Sequence, residues 1–206
     1  MAKLAITTFL SLDGVMQAPG GPEEDTSGGF EYGGWVFPYA DEDMGRLVSD
    51  WFDQASGFVL GRRTYEIFAG YWPRVTDEKD PVASALNKLP KYVASTTLDQ
   101  VGWNNSTLLS GDVATVVRRL KEETEGELQI HGSGELARSL MGQDVIDEFR
   151  LLVFPVVLGK GKRLFADGAM PTAMRLVDSR STAAGVAVHT YRLAGRPTFG
   201  TFEPPE

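Results

Sequence analysis

Twice along the chain a short β-prone run ends in glycine and passes straight into a helical pattern. These are "FVLGRRTYEIF" over 58–68 and "LQIHGSGELARSL" over 128–140. A strand that hands over to a helix cannot meet the next strand as a tight hairpin, because the helix must first cross the sheet. The chain is therefore expected to be α/β, with a mostly parallel central sheet covered by helices on both faces.

The remaining pattern agrees. A first strand is expected over Lys3 to Leu12, then a glycine-rich loop from Asp13 to about Ala40 carrying Phe30, Tyr32, Trp35, Phe37 and Tyr39. Loops of that length inside a domain are usually functional or disordered, and the aromatics argue against disorder. Asp41 reads as an N-cap with Glu42 and Asp43 in the first turn, where a helix dipole favours anions. Met44, Leu47, Val48, Trp51, Phe52 and Ala55 then make one apolar helix face. "GFVLG" and "KYVAST" read as strands, and "RRTYEIFAGYW" as a helix stopped by Pro73. Residues 98 to 111 read as irregular, with a strand near Thr107 to Leu109.

Asp112 caps a further helix bearing Val113, Val116, Val117 and Leu120. The strand "ELQIH" and a helix to about Met141 follow. "DEFRLLVFPVVLG" is a long strand that Pro155 must bend or end. The tail from "AMRLVDS" to "TYRLAG" reads as an antiparallel hairpin turning at Gly185. A chain of 206 residues can bury one sizeable core, so a single domain over 1–206 is expected.

The glycines at 132 and 134, with Ala137, match the spacing G-x-G-x-x-A of a dinucleotide-binding loop. A Rossmann domain would need several more βα units after it. Only about seventy residues remain, they read as strands, and no acidic residue ends the next one. A strand-to-helix glycine turn still presents unpaired N–H groups and a positive dipole end to an anion. The other turn adds Arg62, Arg63 and Thr64 after Gly61, and arginine's fork of donors matches phosphate oxygens. Arginine at a helix start opposes the dipole, a misfit that an anionic ligand would offset. A third strand end supplies Ser95 and Thr96. Three such ends on one edge of a parallel sheet suit an elongated ligand with several phosphates.

Other classes are disfavoured. The net charge of −8 argues against non-specific nucleic-acid binding and against an anionic membrane surface. No cysteine is present, which removes disulfides, thiolate catalysis and cysteine–zinc sites. The N-terminal apolar run is interrupted by Thr7 and Thr8 and lacks a cleavage site, and no run approaches a membrane span, so a cytoplasmic protein is expected. No hydrolase motif or metal-ligand cluster is legible.

In order along the chain, "SLDG", "FVLGRRTYEIF", "KYVAST", "IHGSGELARSL" and "DEFRLLVFPVVLGKGKRLF" resemble the dihydrofolate reductase fold. They are most similar to the C-terminal reductase domain of the bifunctional riboflavin-biosynthesis deaminase-reductase. The resemblance implies a three-layer fold and NADPH bound in an extended pose. It places Arg62 with Ser95 or Thr96 at the 2′-phosphate, and Arg63 and Thr64 at the pyrophosphate. Gly132, Ser133 and Gly134 would lie along the pyrophosphate and nicotinamide side, with Gly61, Glu135 and Leu136 completing the cofactor contacts. It also raises the question of a cis peptide bond near Gly132.

On the substrate side the expected residues are Trp35, as a stacking lid, Asp43, near the acidic residue that grips the pterin in dihydrofolate reductase, and His131, where the riboflavin-type enzymes commonly carry glutamate. Asp13 is the candidate for relaying a proton, with a turn-forming Asp-Gly as its alternative reading. The implied activity is NADPH-dependent reduction of a small heterocycle, similar to 5-amino-6-(5-phosphoribosylamino)uracil reductase. A dihydrofolate reductase, or an NADP-binding protein without turnover, stays open beside it. Relatives of the riboflavin type are commonly homodimers.

Overall fold

In chain order the elements are β1 (Lys3–Ser11), α1 (Glu42–Asp53), β2 (Ala55–Gly61), α2 (Arg62–Tyr71), α3 (Pro81–Lys88), β3 (Lys91–Ala94), β4 (Ser106–Leu109), α4 (Val113–Glu123), β5 (Glu127–His131), α5 (Gly134–Met141), β6 (Glu148–Phe154), β7 (Met174–Ser181) and β8 (Ala187–Leu193). This computed structural model describes residues 1–202, so the last four residues of the expected 1–206 domain lie outside the described residues.

The strands form one sheet in the order β4-β3-β2-β5-β1-β6-β8-β7. Every pair from β4 to β6 is parallel, and β8 and β7 add antiparallel to β6. The parallel sheet and the C-terminal hairpin are those expected from the sequence. Pro155 ends β6, as its missing donor requires.

Two differences have local causes. Ala55 begins β2 and does not continue the apolar face of α1, which stops at Asp53. Helix α3 was not anticipated. Its signal is present: Asp80 accepts from the amides of Val82 and Ala83, and Pro81 occupies the first turn. Proline there loses no hydrogen bond that a helix would have made. Among the described residues no peptide bond is cis, and Gly132 and Ser133 instead take positive φ of 56° and 50°.

Alternation along β1 and β5 sorts the two faces of the sheet. Leu4, Ile6, Leu128 and Ile130 point into a core completed by Val117 of α4 and by Leu136, Ala137 and Leu140 of α5. On the opposite face Phe58 and Leu60 pack with Phe52 of α1, Tyr65 of α2 and Leu86 of α3. A third cluster joins Trp51 and Leu47 of α1 to Phe154, Val188, Phe30, Trp35 and Val36. The loop after β1 is thus anchored by its aromatics. A clasp also holds it: Gln17 donates to the carbonyls of Asp25 and Ser27, and Lys162 Nζ donates to Asp25 and Ser27 Oγ.

No helix among the described residues is long and apolar enough to cross a membrane.

Candidate functional site

β2 and β5 are neighbours, but the helices that follow them leave on opposite faces. α2 joins the core around Phe58 and α5 the core around Leu4. A crevice must open between two such strand ends, and open α/β sheets bind their ligands at this kind of switch point. Here it holds a cleft of about 890 Å³.

Ser133 stitches the two strand ends together. Its hydroxyl donates to the His131 carbonyl at 3.1 Å and accepts from the Gly61 amide at 3.0 Å. Its own amide donates to Thr64 Oγ1 at 3.1 Å. The N-termini of α2 and α5 are thereby held side by side, and neither has a side-chain cap. Two uncapped helix starts aimed into one crevice add their dipoles and leave amides free for an anion.

Gly132 lies against Thr64, whose Oγ1 would be 3.5 Å from an added Cβ. Its left-handed φ also strains any residue but glycine. On the other side Gly61 pairs in register with Ala94, so Arg62 and Ser95 continue from adjacent positions. Arg62 makes an i,i+4 pair with Glu66 at 3.6 Å, and both side chains are more than 40% exposed, so the bond is weak and easily exchanged. Arg63 has no ion pair among the described residues. Ser95 Oγ accepts from the amides of Thr97 and Leu98, shaping the turn that carries Thr96.

All eleven residues expected around the cofactor, from Gly61 to Thr64, Ser95, Thr96 and Gly132 to Leu136, line this one cleft. Sequence reading missed several others on its wall. Gly111 and Asp112 bring the start of α4 to the rim. Met16 to Gly20 and Lys162 flank it. Val48, Trp51 and Phe52 of α1, Ile67 and Phe68 of α2, Trp72, and Val82 and Leu86 of α3 form an apolar chamber beside the stitched helix starts. Of the carboxyls on the wall, Glu24 is pushed above its ordinary value by burial, whereas hydrogen bonds hold Asp112 down and the bonds from Lys162 and Ser27 do so for Asp25 against its burial.

The expected substrate side needs three corrections. Asp13 does not line the cleft. Its carboxylate accepts from Ser11 Oγ at 2.6 Å and from the amides of Leu158 and Gly159 at 3.1 and 2.8 Å. Those bonds, the Ser11 hydroxyl's foremost, pull its pKa down to about 2, so it holds no proton to give near neutrality. Its geometry is that of a turn organiser. Trp35 is buried in the third core, donating Nε1–H to the Gln17 carbonyl at 2.8 Å and meeting Phe154 edge-on at 5.4 Å. It cannot stack on a ligand. Asp43 pairs with Arg46 and accepts from the Ala183 amide at 3.1 Å, outside the cleft. Glu42 is almost fully exposed, and no carboxylate of α1 is among the residues lining the cleft.

His131 does line the cleft. It is 8% exposed and stacks on Phe52 with ring centroids 4.5 Å apart. Burial, helped by the positive charge of Arg150, drives its pKa down to about 3. The folded imidazole is therefore neutral, while the unfolded chain's histidine protonates near pH 6.5. The unfolded state binds more protons below that pH, so stability falls as pH drops from about 6.5 towards 3. The loss reaches about 2 kcal/mol by roughly pH 5. In His131→Phe the stability difference between about pH 7 and pH 5, measured by urea unfolding, should shrink by that amount. An unchanged difference would mean that His131 is not held neutral.

His131 ends a buried polar chain along the α1 face of the sheet. Gln129, Glu127, Arg150 and Glu148 are each at most 4% exposed. Arg150 donates to both oxygens of Glu127 at 2.8 and 2.7 Å, and to Glu148. It also lies over Trp51, 5.3 Å from the ring centroid.

Comparison with known proteins places the chain. The RibD C-terminal domain model matches residues 2–188. The uncharacterized protein YyaP of Bacillus subtilis (strain 168) is 28% identical over 158 residues, covering 75% of this chain and 82% of that protein. Among solved structures, a protein of Shewanella sp. PV-4 provisionally assigned to riboflavin biosynthesis superposes with a TM-score of 0.70 at 21% identity, over 94% of this chain and 99% of that one. The dihydrofolate reductase of Enterococcus faecalis, complexed with NADP(H) and RAB-propyl, superposes with a TM-score of 0.57 at 15% identity, over 93% and 96%. At these identities the superpositions speak for the fold alone. Together with the family match they show that the chain belongs to the RibD C-terminal domain family and has the dihydrofolate reductase-like three-layer fold.

Proposed function

We propose that this protein is an NADPH-dependent reductase of a small heterocyclic substrate, similar to 5-amino-6-(5-phosphoribosylamino)uracil reductase. One observation carries the reading. Two uncapped helix starts, stitched by Ser133 and flanked by Arg62 and Arg63, open directly onto an apolar chamber.

The residues fit the cofactor. Amides at the starts of α2 and α5 would receive the pyrophosphate, with Arg63 beside them. Arg62, Ser95 and Thr96 would receive the 2′-phosphate. Gly132 lets the cofactor's backbone-facing edge approach closely. When bound, NADPH supplies a hydride. The chain's own task is to hold the substrate ring between α1, α2 and α3 and to keep water out. Apolar walls from Trp51, Phe52, Phe68 and Leu86 do the latter, strengthening every polar contact inside. Whole-chain action as one cytoplasmic unit, paired as a homodimer, belongs to the same reading. Gel filtration at the monomer mass would contradict the pairing.

The dihydrofolate reductase alternative loses ground, because the acidic residue expected on α1 does not reach the cleft. Thermal unfolding with added cofactor tests the proposal. Millimolar NADPH should raise the melting temperature, and more than NADH does. No shift with NADPH would refute the cofactor and, with it, the reductase.

A further inference from the structure

Adding a hydride to the carbon of a C=N or C=O bond leaves a charge on the nitrogen or oxygen, which a proton must quench. Asp13 and the carboxylates of α1 do not line the cleft. The carboxyls and imidazole that do are Glu24, Asp25, Asp112, Glu135 and His131. Asp25 is tied to Lys162 and to Ser27 Oγ. Asp112 accepts from the Thr115 amide as the cap of α4. Glu135 is exposed on the first turn of α5. His131 is neutral, with its pKa driven by burial to about 3. Glu24 is left, free of any structural duty to another side chain.

The chain around Glu24 places it on the wall. A turn closes from the Glu24 amide to the Gly21 carbonyl at 3.2 Å. The carboxyl folds back so that Oε2 accepts from the Gly20 amide at 2.5 Å. Gly20 leaves the space for it, since a Cβ there would sit 3.0 Å from that oxygen. The segment before the turn is held from behind. Gly34 donates to the Ala18 carbonyl at 2.9 Å, and Trp35 Nε1 donates to that of Gln17. Gly33 packs so closely that a Cβ on it would lie 2.4 Å from the Gly21 carbonyl oxygen. Ala18 itself is left-handed, at φ 48°, a conformation alanine keeps only where its surroundings impose it.

No cation neutralises this carboxyl. The cations on the wall are Arg62, Arg63, Arg138 and Lys162, and among the described residues none forms an ion pair with Glu24. Lys162 pairs with Asp25 and Arg62 with Glu66, while Arg138 donates to the Arg163 carbonyl. Burial, helped by the adjacent charge of Asp25, holds Glu24 above the usual glutamate range against the bonds from the Gly20 and Gly21 amides. A carboxyl raised by burial beside a cleft is suited to holding a proton and giving it up.

We propose that Glu24 is the acid that supplies the proton of the reduction. Its O–H bond breaks as an N–H or O–H bond forms on the atom that takes the electron pair of the C=N or C=O bond. The carbon receives the hydride, and the carboxylate left behind regains a proton from solvent. This rests on the reductase reading and adds the residue that completes its chemistry. Gly20 is the positioning residue, because its bare backbone admits the carboxyl.

Two variants test it. Glu24→Gln keeps an acceptor for the Gly20 amide and removes the proton. Gly20→Ala keeps Glu24 and displaces its carboxyl, the only group within reach of the new Cβ. With NADPH and 5-amino-6-(5-phosphoribosylamino)uracil, each should lower kcat by about a hundredfold, the lower end for a general acid. The Kd for NADPH should change by less than about twofold, since no charged contact to phosphate is touched. Wild-type kcat should fall as pH rises through the pKa of Glu24, and Glu24→Gln should lose that dependence. Carbon-13 NMR of labelled glutamate carboxyls gives a readout free of turnover. The signal absent from Glu24→Gln should titrate above the usual glutamate range in the wild type and return to it in Gly20→Ala. The acid is overturned, with the reductase left standing, if the wild type turns over and Glu24→Gln keeps more than about a third of kcat, or if Glu24 titrates as an ordinary glutamate. Loss of NADPH binding in both variants would make Glu24 a loop-shaping residue and overturn the acid as well. A wild type that binds NADPH and reduces nothing would sink the reductase reading and the acid with it.

Discussion

Replacing Arg150 by methionine lowers the free energy of unfolding by about 3–5 kcal/mol. The side chain is 3% exposed and lies between two buried carboxylates, Glu127 and Glu148. Without it those acids keep Lys3, which touches both at 2.8 Å but is one-third exposed, and Arg192, which reaches Glu148 from the surface. Neither replaces the bidentate bond. Removing one partner of a buried pair leaves the other charge desolvated, and that is why the loss is large. The exposed pair Arg196–Asp144 is the control, since Arg196→Ala should change stability by less than about 1 kcal/mol. Urea unfolding measures both. A loss below about 1 kcal/mol for Arg150→Met would mean that the buried chain is not a framework of the fold.

If the proposed cofactor site is right, substituting Arg62 by alanine should weaken NADPH binding by about tenfold to a hundredfold, the range of a charged hydrogen bond to phosphate. NADH, which lacks the 2′-phosphate, should lose less than about twofold in the same titration. The asymmetry follows from position. Arg62 leaves Gly61 beside the β3 end that carries Ser95 and Thr96, while Arg63 and the α5 start line the same cleft and on the proposed reading would meet the pyrophosphate common to both cofactors. Equal losses for the two cofactors in calorimetry would contradict the 2′-phosphate role and assign that phosphate elsewhere.

That these glycines, arginines and hydroxyls gather in one cleft was legible in the sequence because their pattern is local. A glycine that ends a strand, arginines at a helix start and a second glycine turn can each be read within a few residues. The parallel sheet then brings them together without further information. The buried polar chain and the chamber wall beside it were not legible, for a physical reason. "ELQIH" and "EFRLL" alternate polar and apolar residues, which ordinarily marks a strand with one face in water. Here the polar face is covered by α1, and its groups satisfy one another across strands that are far apart in sequence.

Trp35 and Asp13 misled in the opposite way. A tryptophan in a glycine-rich loop reads as a lid, and an aspartate before glycine at a strand end reads as an acid or as a turn-former. Tertiary partners at Phe154, Gln17, Leu158 and Gly159 turn one into core and the other into a turn. Asp80-Pro81 is a local signal for the start of α3, which supplies Val82 and Leu86 to the chamber.

A crystal structure of the protein grown with NADPH tests the central claim most directly. The pyrophosphate should lie between the starts of α2 and α5, against Gly132 to Gly134, with the 2′-phosphate at Arg62 and the nicotinamide turned toward the chamber over His131. NADPH found elsewhere, or a cleft left empty at saturating cofactor, would contradict the account.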